Sequence, residues 1–314
     1  MSNTSPEIVV TGINGFVGEH LAKHLKEQGY SVHGVARETA LRDKVAPYVD
    51  TYSQADLLDK NAVTQIHLKT ASAIIHLAGL ASVADSFNHP ELYKTGNAEM
   101  TENLLSSAKS QGFNGRTVVV STGALYSPDQ AMPLNESSET VQGSPYAIGK
   151  IKAEEVAKSY KDSGSDVVIV RPFNHIGPGQ ETGFLVPDLY EELLKLNETG
   201  EKTISVGNLN TKRDYTDVRD IVKAYTKLAT ADSLLHDTYN VSSGVSYSGF
   251  EILNYLQQAL GLDDIQPVVD QSRVRPTDAM DIIGDTTRIS SELDWKPLSN
   301  PKIAIEDFVA RRQS

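Results

Sequence analysis

The sequence of 314 residues contains no cysteine and only one tryptophan. The absence of cysteine excludes disulfides, thiolate metal sites and a cysteine nucleophile. No apolar run approaches the roughly 20 residues that a membrane-spanning helix needs, so no membrane partner is expected. The first residues are polar and lead directly into an apolar stretch, which is not the pattern of a secretory signal. We therefore expect a cytoplasmic protein.

Positive charge is also scarce, since 29 Lys and Arg stand against 41 Asp and Glu and the net charge is −12. This balance argues against nucleic-acid partners and anionic membranes. It is compatible with an anionic small molecule wherever arginines cluster. None of the eight histidines belongs to a His-Glu-x-x-His motif, so we predict no metal site.

Short apolar stretches alternate with amphipathic ones along the chain. The apolar stretches predict strands at 7–11, 31–36, 72–77, 117–121, 166–170 and 237–242. The amphipathic stretches predict helices at 58–68, 91–111, 145–162, 186–197, 217–230, 247–260 and 302–312. This alternation predicts an α/β fold with a doubly wound parallel sheet, covered on both faces. We predict a sheet domain over 1–170, to which 217–242 returns, and a smaller α/β substrate lobe over 171–314.

Three glycines, Gly12, Gly15 and Gly18, lie between the first predicted strand and a helical pattern. Glycines at this spacing allow a tight turn and let a pyrophosphate approach a helix N-terminus, whose unpaired N–H groups favour anions. A glycine-rich turn occurs in many α/β proteins, but its position between a strand and a helix favours a dinucleotide site.

The end of the second predicted strand bears on the choice between NADH and NADPH. NAD-binding proteins of this type place an acid there, which holds the adenosine ribose. Here Ala36 is followed by Arg37, whose guanidinium could bind a 2′-phosphate instead. We therefore predict NADPH as the preferred cofactor. Glu38 keeps NADH open, because a shift of one or two residues in the strand end would restore the acid.

Tyr146 and Lys150 are four residues apart within a predicted helix and therefore share one helix face. A nearby ammonium favours the phenolate, so we expect the lysine to lower the tyrosine pKa from about 10 towards neutrality. A tyrosine with such a pKa can act as a general acid or base. On its own, the same spacing more often marks a surface tyrosine beside a solvated lysine.

These features resemble the extended short-chain dehydrogenase/reductase family over essentially the whole chain. The resemblance rests on Thr11-Gly12-x-x-Gly15-Phe-Val-Gly18, Asp56-Leu57, His76-Leu-Ala78-Gly79, Asn97, Ser121-Thr122, Tyr146-x-x-x-Lys150 and Arg171-Pro-Phe-Asn174. It implies a Rossmann-type sheet and a catalytic set of Thr122, Tyr146 and Lys150, in which threonine replaces the commoner serine. Without the family, Thr122 would be interpreted as a strand-end hydroxyl bonded to backbone. The implied cofactor residues are Gly12, Asn14, Gly15, Phe16, Val17, Gly18, Arg37, Asp56, Leu57, Leu77, Ala78, Gly79, Asn97, Tyr146, Lys150 and Pro172.

Longer strings in the second half are similar to the GDP-6-deoxy-D-mannose reductase branch of that family. They lie within 171–180, 207–220 and 273–285. The similarity implies substrate contacts from Thr122, Tyr126, Asn174, Val186, Asn208, Arg213, Arg275 and Asp278. Among these, Asn174, Arg213 and Arg275 would bind the nucleotide diphosphate, and Asp278 a ribose hydroxyl. Arginines suit bidentate phosphate recognition, although each could instead pair with an acid, as we expect for Arg273.

The residue two positions after Thr122 separates the reactions of this branch. In the family a 4,6-dehydratase carries a glutamate there, whereas Ala124 cannot exchange a proton. We therefore predict NADPH-dependent reduction of the C4 ketone of GDP-4-keto-6-deoxy-D-mannose to GDP-D-rhamnose. A nucleotide-sugar 4-epimerase with tightly bound NAD is the alternative. A further alternative is a cofactor-sensing module that catalyses no reaction.

The resemblance also implies a homodimer, formed through the helices at 91–111 and 145–162. Leu104, Leu105 and Val156 are apolar residues of these helices that could line its interface. The same residues could equally belong to the core, and the sequence leaves both alternatives open.

Overall fold

A computed structural model describes residues 5–274 and 279–313 of the chain. Its strands are β1 (Glu7–Thr11), β2 (Ser31–Ala36), β3 (Thr51–Gln54), β4 (Ala73–His76), β5 (Arg116–Val120), β6 (Val167–Pro172), β7 (Asn174–Ile176), β8 (Thr203–Val206), β9 (Lys212–Asp217), β10 (Thr238–Val241), β11 (Ser246–Ser248), β12 (Gln266–Val269) and β13 (Asp281–Ile282). Its α-helices are α1 (Phe16–Glu27), α2 (Lys60–Thr64), α3 (Val83–Ser86), α4 (Pro90–Ser110), α5 (Pro145–Asp162), α6 (Leu185–Thr199), α7 (Val218–Thr230), α8 (Gly249–Leu260), α9 (Thr287–Leu293) and α10 (Pro301–Gln313).

Seven of the strands form one sheet in the order β10-β6-β5-β4-β1-β2-β3, and every neighbouring pair is parallel. Parallel strands need crossover connections, which place helices on both faces of the sheet. The strand order reverses beside β1, since the chain builds from β1 to β3 on one side and from β4 to β10 on the other. At such a point the carboxyl ends of the strands leave a crevice for a ligand. The predicted doubly wound sheet is confirmed.

Two apolar layers hold the helices on the sheet. On one face, α1 and α7 pack through Leu21 and the fully buried Tyr225. On the other face, α4 packs through Leu104 and α5 through Ala157. Both faces are buried, which accounts for the continuous Val and Ile runs of the strands. None of the helices within 5–274 and 279–313 is long and apolar enough to cross a membrane.

The smaller lobe has a core of its own, in which α6, α8 and α10 meet around Leu193, Leu256 and Phe308. After the first part of this lobe the chain returns to the large sheet, where α7 packs on one face and β10 forms an edge strand. A second return was not predicted. Trp295, which follows α9, enters the core of the large sheet and donates its indole N–H to the backbone O of Asp220 at 3.0 Å.

One predicted helix is shorter in the structure, and one strand of the large sheet was not predicted. The helix predicted over 58–68 is only the five-residue α2, which begins after Asp59 as its N-cap. The strand β3 was not predicted, because its sequence, Thr-Tyr-Ser-Gln, is polar and half exposed at the sheet edge.

The three residues considered for a dimer interface differ in how deeply they are buried. Leu104 and Leu105 are buried, so they belong to the core of the chain itself. Val156 is half-buried and packs against the cluster that contains Leu105 and Ala157. The homodimer stays a prediction.

Candidate active site

The turn between β1 and α1 lets backbone approach a bound group closely. Gly12 has a φ of +72°, and a Cβ there would lie 2.8 Å from the backbone N of Ala78. A Cβ on Gly18 would lie 2.4 Å from the backbone O of Ile13. Gly15 precedes α1 without a side-chain cap, so the first N–H groups of the helix can bind an anion. These constraints fit the pyrophosphate of a dinucleotide.

Asn14, within the same turn, orders the loop that follows β2. Its Nδ2 donates to the backbone O of Ala40 at 3.0 Å and to Oε2 of Glu38 at 3.3 Å. Its Oδ1 accepts the backbone N–H of Arg42 at 3.0 Å. The side chain of Arg37 is 77% exposed, with its Nε 3.6 Å from Oε1 of Glu38. The two residues that bear on cofactor choice thus lie directly after β2, where the sequence placed them.

Thr122, Tyr146 and Lys150 converge at the carboxyl end of β5. Tyr146 and Lys150 are both 7% exposed, and the tyrosine is hydrogen-bonded to the side chain of Thr122. Nζ of Lys150 donates to the backbone O of Val120 at 2.9 Å. Oγ1 of Thr122 also accepts the backbone N–H of Ala124 at 3.1 Å. The structure therefore brings the three predicted catalytic residues together.

The expectation that Lys150 lowers the pKa of Tyr146 is wrong. Burial raises the tyrosine pKa, because a phenolate loses its solvation there, and the hydrogen bond with Thr122 opposes this only in part. Burial also lowers the pKa of Lys150 to about 8, against the opposing charge of Glu154. Tyr146 consequently holds its proton at neutral pH, so it is a proton donor rather than a phenolate.

The loop after β4 lies beside the lysine. Asn97 on α4 fixes this loop, because its Oδ1 accepts the N–H of Leu80 at 2.8 Å and its Nδ2 donates to the O of Leu80 at 3.2 Å. A Cβ on Gly79 would lie 2.9 Å from Oδ1 of Asn97 and 3.3 Å from Nζ of Lys150. Ala78 and Gly79 thus stand next to the catalytic residues, as a cofactor that reaches them requires.

The other predicted cofactor residues differ in how much side chain they expose. Leu57 and Pro172 are buried, so their side chains serve the core. Asp56 is exposed, and its Oδ1 accepts the N–H of Leu58 at 2.9 Å. Phe16 stacks on His175, with ring centroids 6.1 Å apart. Val17 and Leu77 are partly buried and pack against the core of the large sheet. A cofactor role for these residues stays a prediction.

Asn174 and Arg213 lie on neighbouring strands, since β7 pairs with β9 in parallel. Nη1 of Arg213 donates to the backbone O of Ala279 at 2.8 Å, which directs part of the guanidinium towards the segment after 274. Two further predicted substrate residues, Arg275 and Asp278, lie outside the described residues. The contacts of this group with a diphosphate stay a prediction.

Two predicted substrate residues point into the protein. Val186 is 1% exposed and packs in the core of the lobe. The hydroxyl of Tyr126 donates to Oδ1 of Asn240 at 2.7 Å and accepts from Nη1 of Arg171 at 2.9 Å. Neither side chain offers a polar group to a ligand in this arrangement, so their substrate contacts stay predictions. Asn208 is half-buried in the loop before β9.

Arg273 is engaged within the lobe. Its Nη1 lies 3.2 Å from Oε2 of Glu192 and donates to the backbone O of Ser205 at 2.5 Å. The expected ion pair is therefore confirmed.

His20 and His24 lie one turn apart on α1, which is a spacing that metal sites use. His20 is bonded through Nε2 to the backbone O of Pro178 at 2.7 Å. Burial lowers the pKa of both histidines. Over 5–274 and 279–313, no group of three His, Cys, Asp or Glu residues is placed to hold a metal ion.

Two features of α5 were not predicted from the sequence. A Cβ on Gly149 would lie 1.9 Å from the backbone O of Tyr93, so this glycine sets the distance between α5 and α4. Its signal was a glycine inside a helix, which costs about 1 kcal/mol relative to alanine and needs a reason. The second feature is a buried ion pair of Glu154 with Arg171. It gave no signal, because such charges usually lie at the surface.

Comparison with known proteins agrees with this geometry. The model of the NAD dependent epimerase/dehydratase family matches residues 8–242, which is more than half of the chain. The chain belongs to this family. It is therefore an NAD(P)-dependent enzyme of the extended short-chain dehydrogenase/reductase type, in the class that modifies nucleotide sugars.

Several members of the family with assigned activities are similar over nearly their whole length. The GDP-6-deoxy-D-mannose reductase of Pseudomonas aeruginosa is 29% identical over 294 residues, which cover 92% of this chain and 91% of that protein. The structure of RMD from Pseudomonas aeruginosa complexed with NADPH is 26% identical, with a TM-score of 0.82 over 99% of this chain and 100% of that one. The UDP-glucose 4-epimerase of Thermotoga maritima with UDP-glucose is 25% identical, with a TM-score of 0.86 over 98% of both chains.

Proposed function

We propose that this enzyme reduces the C4 ketone of GDP-4-keto-6-deoxy-D-mannose with NADPH and so forms GDP-D-rhamnose. The observation that carries the proposal is a buried tyrosine that holds its proton, in a site with alanine at position 124. Tyr146 can supply the proton that a reduction needs. Ala124 occupies the position from which a dehydratase would exchange another proton. The similarity to the Pseudomonas reductase supports the same choice.

In the proposed reaction each catalytic residue acts on a stated atom. Bound NADPH supplies the hydride that is added to C4 of the sugar. Thr122 donates a hydrogen bond to the C4 oxygen and stabilises the negative charge that develops on it. Tyr146 then transfers its hydroxyl proton to that oxygen. Lys150, held by the backbone O of Val120, places an ammonium beside the tyrosine and the cofactor ribose.

A second candidate, a 4-epimerase with tightly bound NAD, is favoured by the position of Glu38. Its carboxylate lies 3.3 Å from Nδ2 of Asn14 in the cofactor turn. An acid at the end of the second strand suits the ribose hydroxyls of NAD. An epimerase would return the hydride to the sugar and oxidise no added cofactor.

Assays with both classes of substrate separate the two candidates. We expect NADPH to be consumed with GDP-4-keto-6-deoxy-D-mannose, measured as loss of its absorbance. Interconversion of UDP-glucose and UDP-galactose without cofactor consumption would support the epimerase instead. A thermal shift screen of GDP- and UDP-sugars reports the base, since a ligand at 100 times its dissociation constant adds about 2.7 kcal/mol of stability.

Replacing Arg37 by serine should weaken NADPH binding and leave NADH binding unchanged. A hydrogen bond to a charged group contributes about 1.5–3 kcal/mol, so we expect the Michaelis constant for NADPH to rise roughly 10- to 100-fold. Glu38→Gln is the matched variant at the neighbouring residue. It should raise the catalytic efficiency with NADPH relative to that with NADH. Equal loss with both cofactors in Arg37→Ser would contradict a 2′-phosphate contact.

The catalytic efficiency should fall as the pH rises through about 8, the depressed pKa of Lys150. Below that pH the lysine is an ammonium, and above it the charge beside the tyrosine and the ribose is lost. The pH profile of kcat/KM measures this directly. Lys150→Met is the control and should have low activity without that alkaline limb. A wild-type profile that is flat across this range would contradict the role given to the lysine.

A further inference from the structure

Glu154 and Arg171 form an ion pair inside the protein. Nη2 of Arg171 donates to Oε2 of Glu154 at 2.6 Å, and Nε donates to Oε1 at 2.8 Å. The residues are 4% and 5% exposed, so both charges are removed from water. Charges at this depth cost several kcal/mol each to desolvate, which makes a purely stabilising role a poor explanation. The pair therefore calls for another role.

The position of the pair relates it to the catalytic lysine. Glu154 lies one helical turn after Lys150 on α5, and side chains at that spacing are neighbours about 5–6 Å apart at Cβ. Arg171 approaches from the carboxyl half of β6. Its Nη1 also donates to the hydroxyl of Tyr126 at 2.9 Å and to the backbone O of Glu136 at 3.3 Å. The guanidinium is thus fixed from several sides, and it fixes the carboxylate in turn.

We propose that Glu154 is a positioning residue for Lys150, and that its carboxylate, fixed by Arg171, keeps the lysine charged at the cofactor site. The inference rests on the role of Lys150 in the proposed function. It goes further because it names the residues that keep the buried lysine charged. An ammonium that is buried without a counter-charge loses its proton readily.

The other titratable groups around Lys150 do not supply a negative charge. They are His76 on β4 and Tyr146 on α5, and Tyr93 on α4 and Tyr225 on α7 in turn interact with Tyr146. Burial lowers the pKa of His76 to about 3, so it is neutral at physiological pH. Burial raises the pKa of all three tyrosines, so they hold their protons. Glu154 is thus the acid that favours the ammonium in the described part of the chain.

The test is the titration of Lys150 in full-length Glu154→Gln, followed by NMR of protein labelled at lysine Cε. The resonance is assigned as the one that disappears in Lys150→Met. We expect the lysine to lose its proton about one pH unit lower than in the wild type, since an opposite charge at close range shifts a pKa by about 1–3 units. This readout needs no sugar, so it stands or falls independently of the proposed substrate. In the reduction assay the alkaline limb should move by the same amount.

A matched control is Asp166→Asn, which breaks a different ion pair, at the start of β5. Asp166 pairs with the buried Arg116 at the opposite end of that strand from Val120, and the Lys150 titration should not move. If Glu154→Gln does not fold, the double variant Glu154→Gln with Arg171→Met removes both charges. In this variant Lys150 should still lose its proton at a lower pH than in the wild type. An unchanged titration in a folded Glu154 variant, even one with a lower melting temperature, would overturn the proposal.

Discussion

The Tyr146→Phe enzyme should lose reduction almost completely while it binds the cofactor normally. The change removes one hydroxyl from a side chain that is 7% exposed, so the ring and its packing are retained. What is lost is the proton for the C4 oxygen, and general acid catalysis contributes about 10²- to 10⁴-fold. We therefore expect kcat to fall by about that factor. Steady-state kinetics and NADPH titration measure the two quantities separately.

Tyr225→Phe is the control for this experiment. Tyr225 is also a fully buried tyrosine, and within 5–274 and 279–313 its hydroxyl has no hydrogen-bond partner. Its removal should leave kcat unchanged and should not lower stability, since an unsatisfied buried hydroxyl is unfavourable. Equal losses in both variants would show that Tyr146 acts through packing. If the wild type itself turns over no nucleotide sugar, that result would support the alternative of a cofactor-sensing module.

Gly149→Ala should destabilise the protein and impair catalysis together. The added Cβ would lie 1.9 Å from the backbone O of Tyr93, which cannot move away without shifting α4. In an exposed helix this change would stabilise by about 1 kcal/mol. Here α5 must separate from α4, and overpacking costs typically about 1–3 kcal/mol and occasionally more. Tyr146 and Lys150 move with α5, and a displacement of about 1 Å can cost about 100-fold in rate.

Thermal unfolding and kcat test this second prediction. Gly143→Ala is the matched variant, because it lies just before α5 and a Cβ there would meet only Val141 Cγ2, at 3.8 Å. We expect a lower melting temperature and a lower kcat for Gly149→Ala, and neither for Gly143→Ala. A Gly149→Ala enzyme with wild-type stability would show that the contact between the two helices is not tight.

The sequence could predict the sheet and most of the site because their signals are local. Gly12, Gly15 and Gly18 mark a turn between adjacent elements, and Tyr146 and Lys150 are one turn apart on α5. Contacts between distant segments left no such mark. Trp295, for example, packs in the core of the large sheet, whose other residues come from distant parts of the chain.

The pKa of Tyr146 shows the same limit. Spacing on a helix gives the distance to a charge, but the depth of burial decides whether that charge or desolvation dominates. Depth depends on which helices cover the residue, and a local pattern does not contain it. The ion pair of Glu154 with Arg171 was invisible for the same reason, since each residue by itself is typical of a surface.

In the proposed function the enzyme transfers a hydride from NADPH to C4 of a nucleotide-linked keto sugar and releases the oxidised cofactor. The most direct measurement supplies GDP-4-keto-6-deoxy-D-mannose with NADPH deuterated at the transferred position of the nicotinamide. We expect equal amounts of NADPH and sugar to be consumed, with the deuterium at C4 of GDP-D-rhamnose. An unlabelled product, or a sugar inverted at C4 without net loss of NADPH, would contradict it.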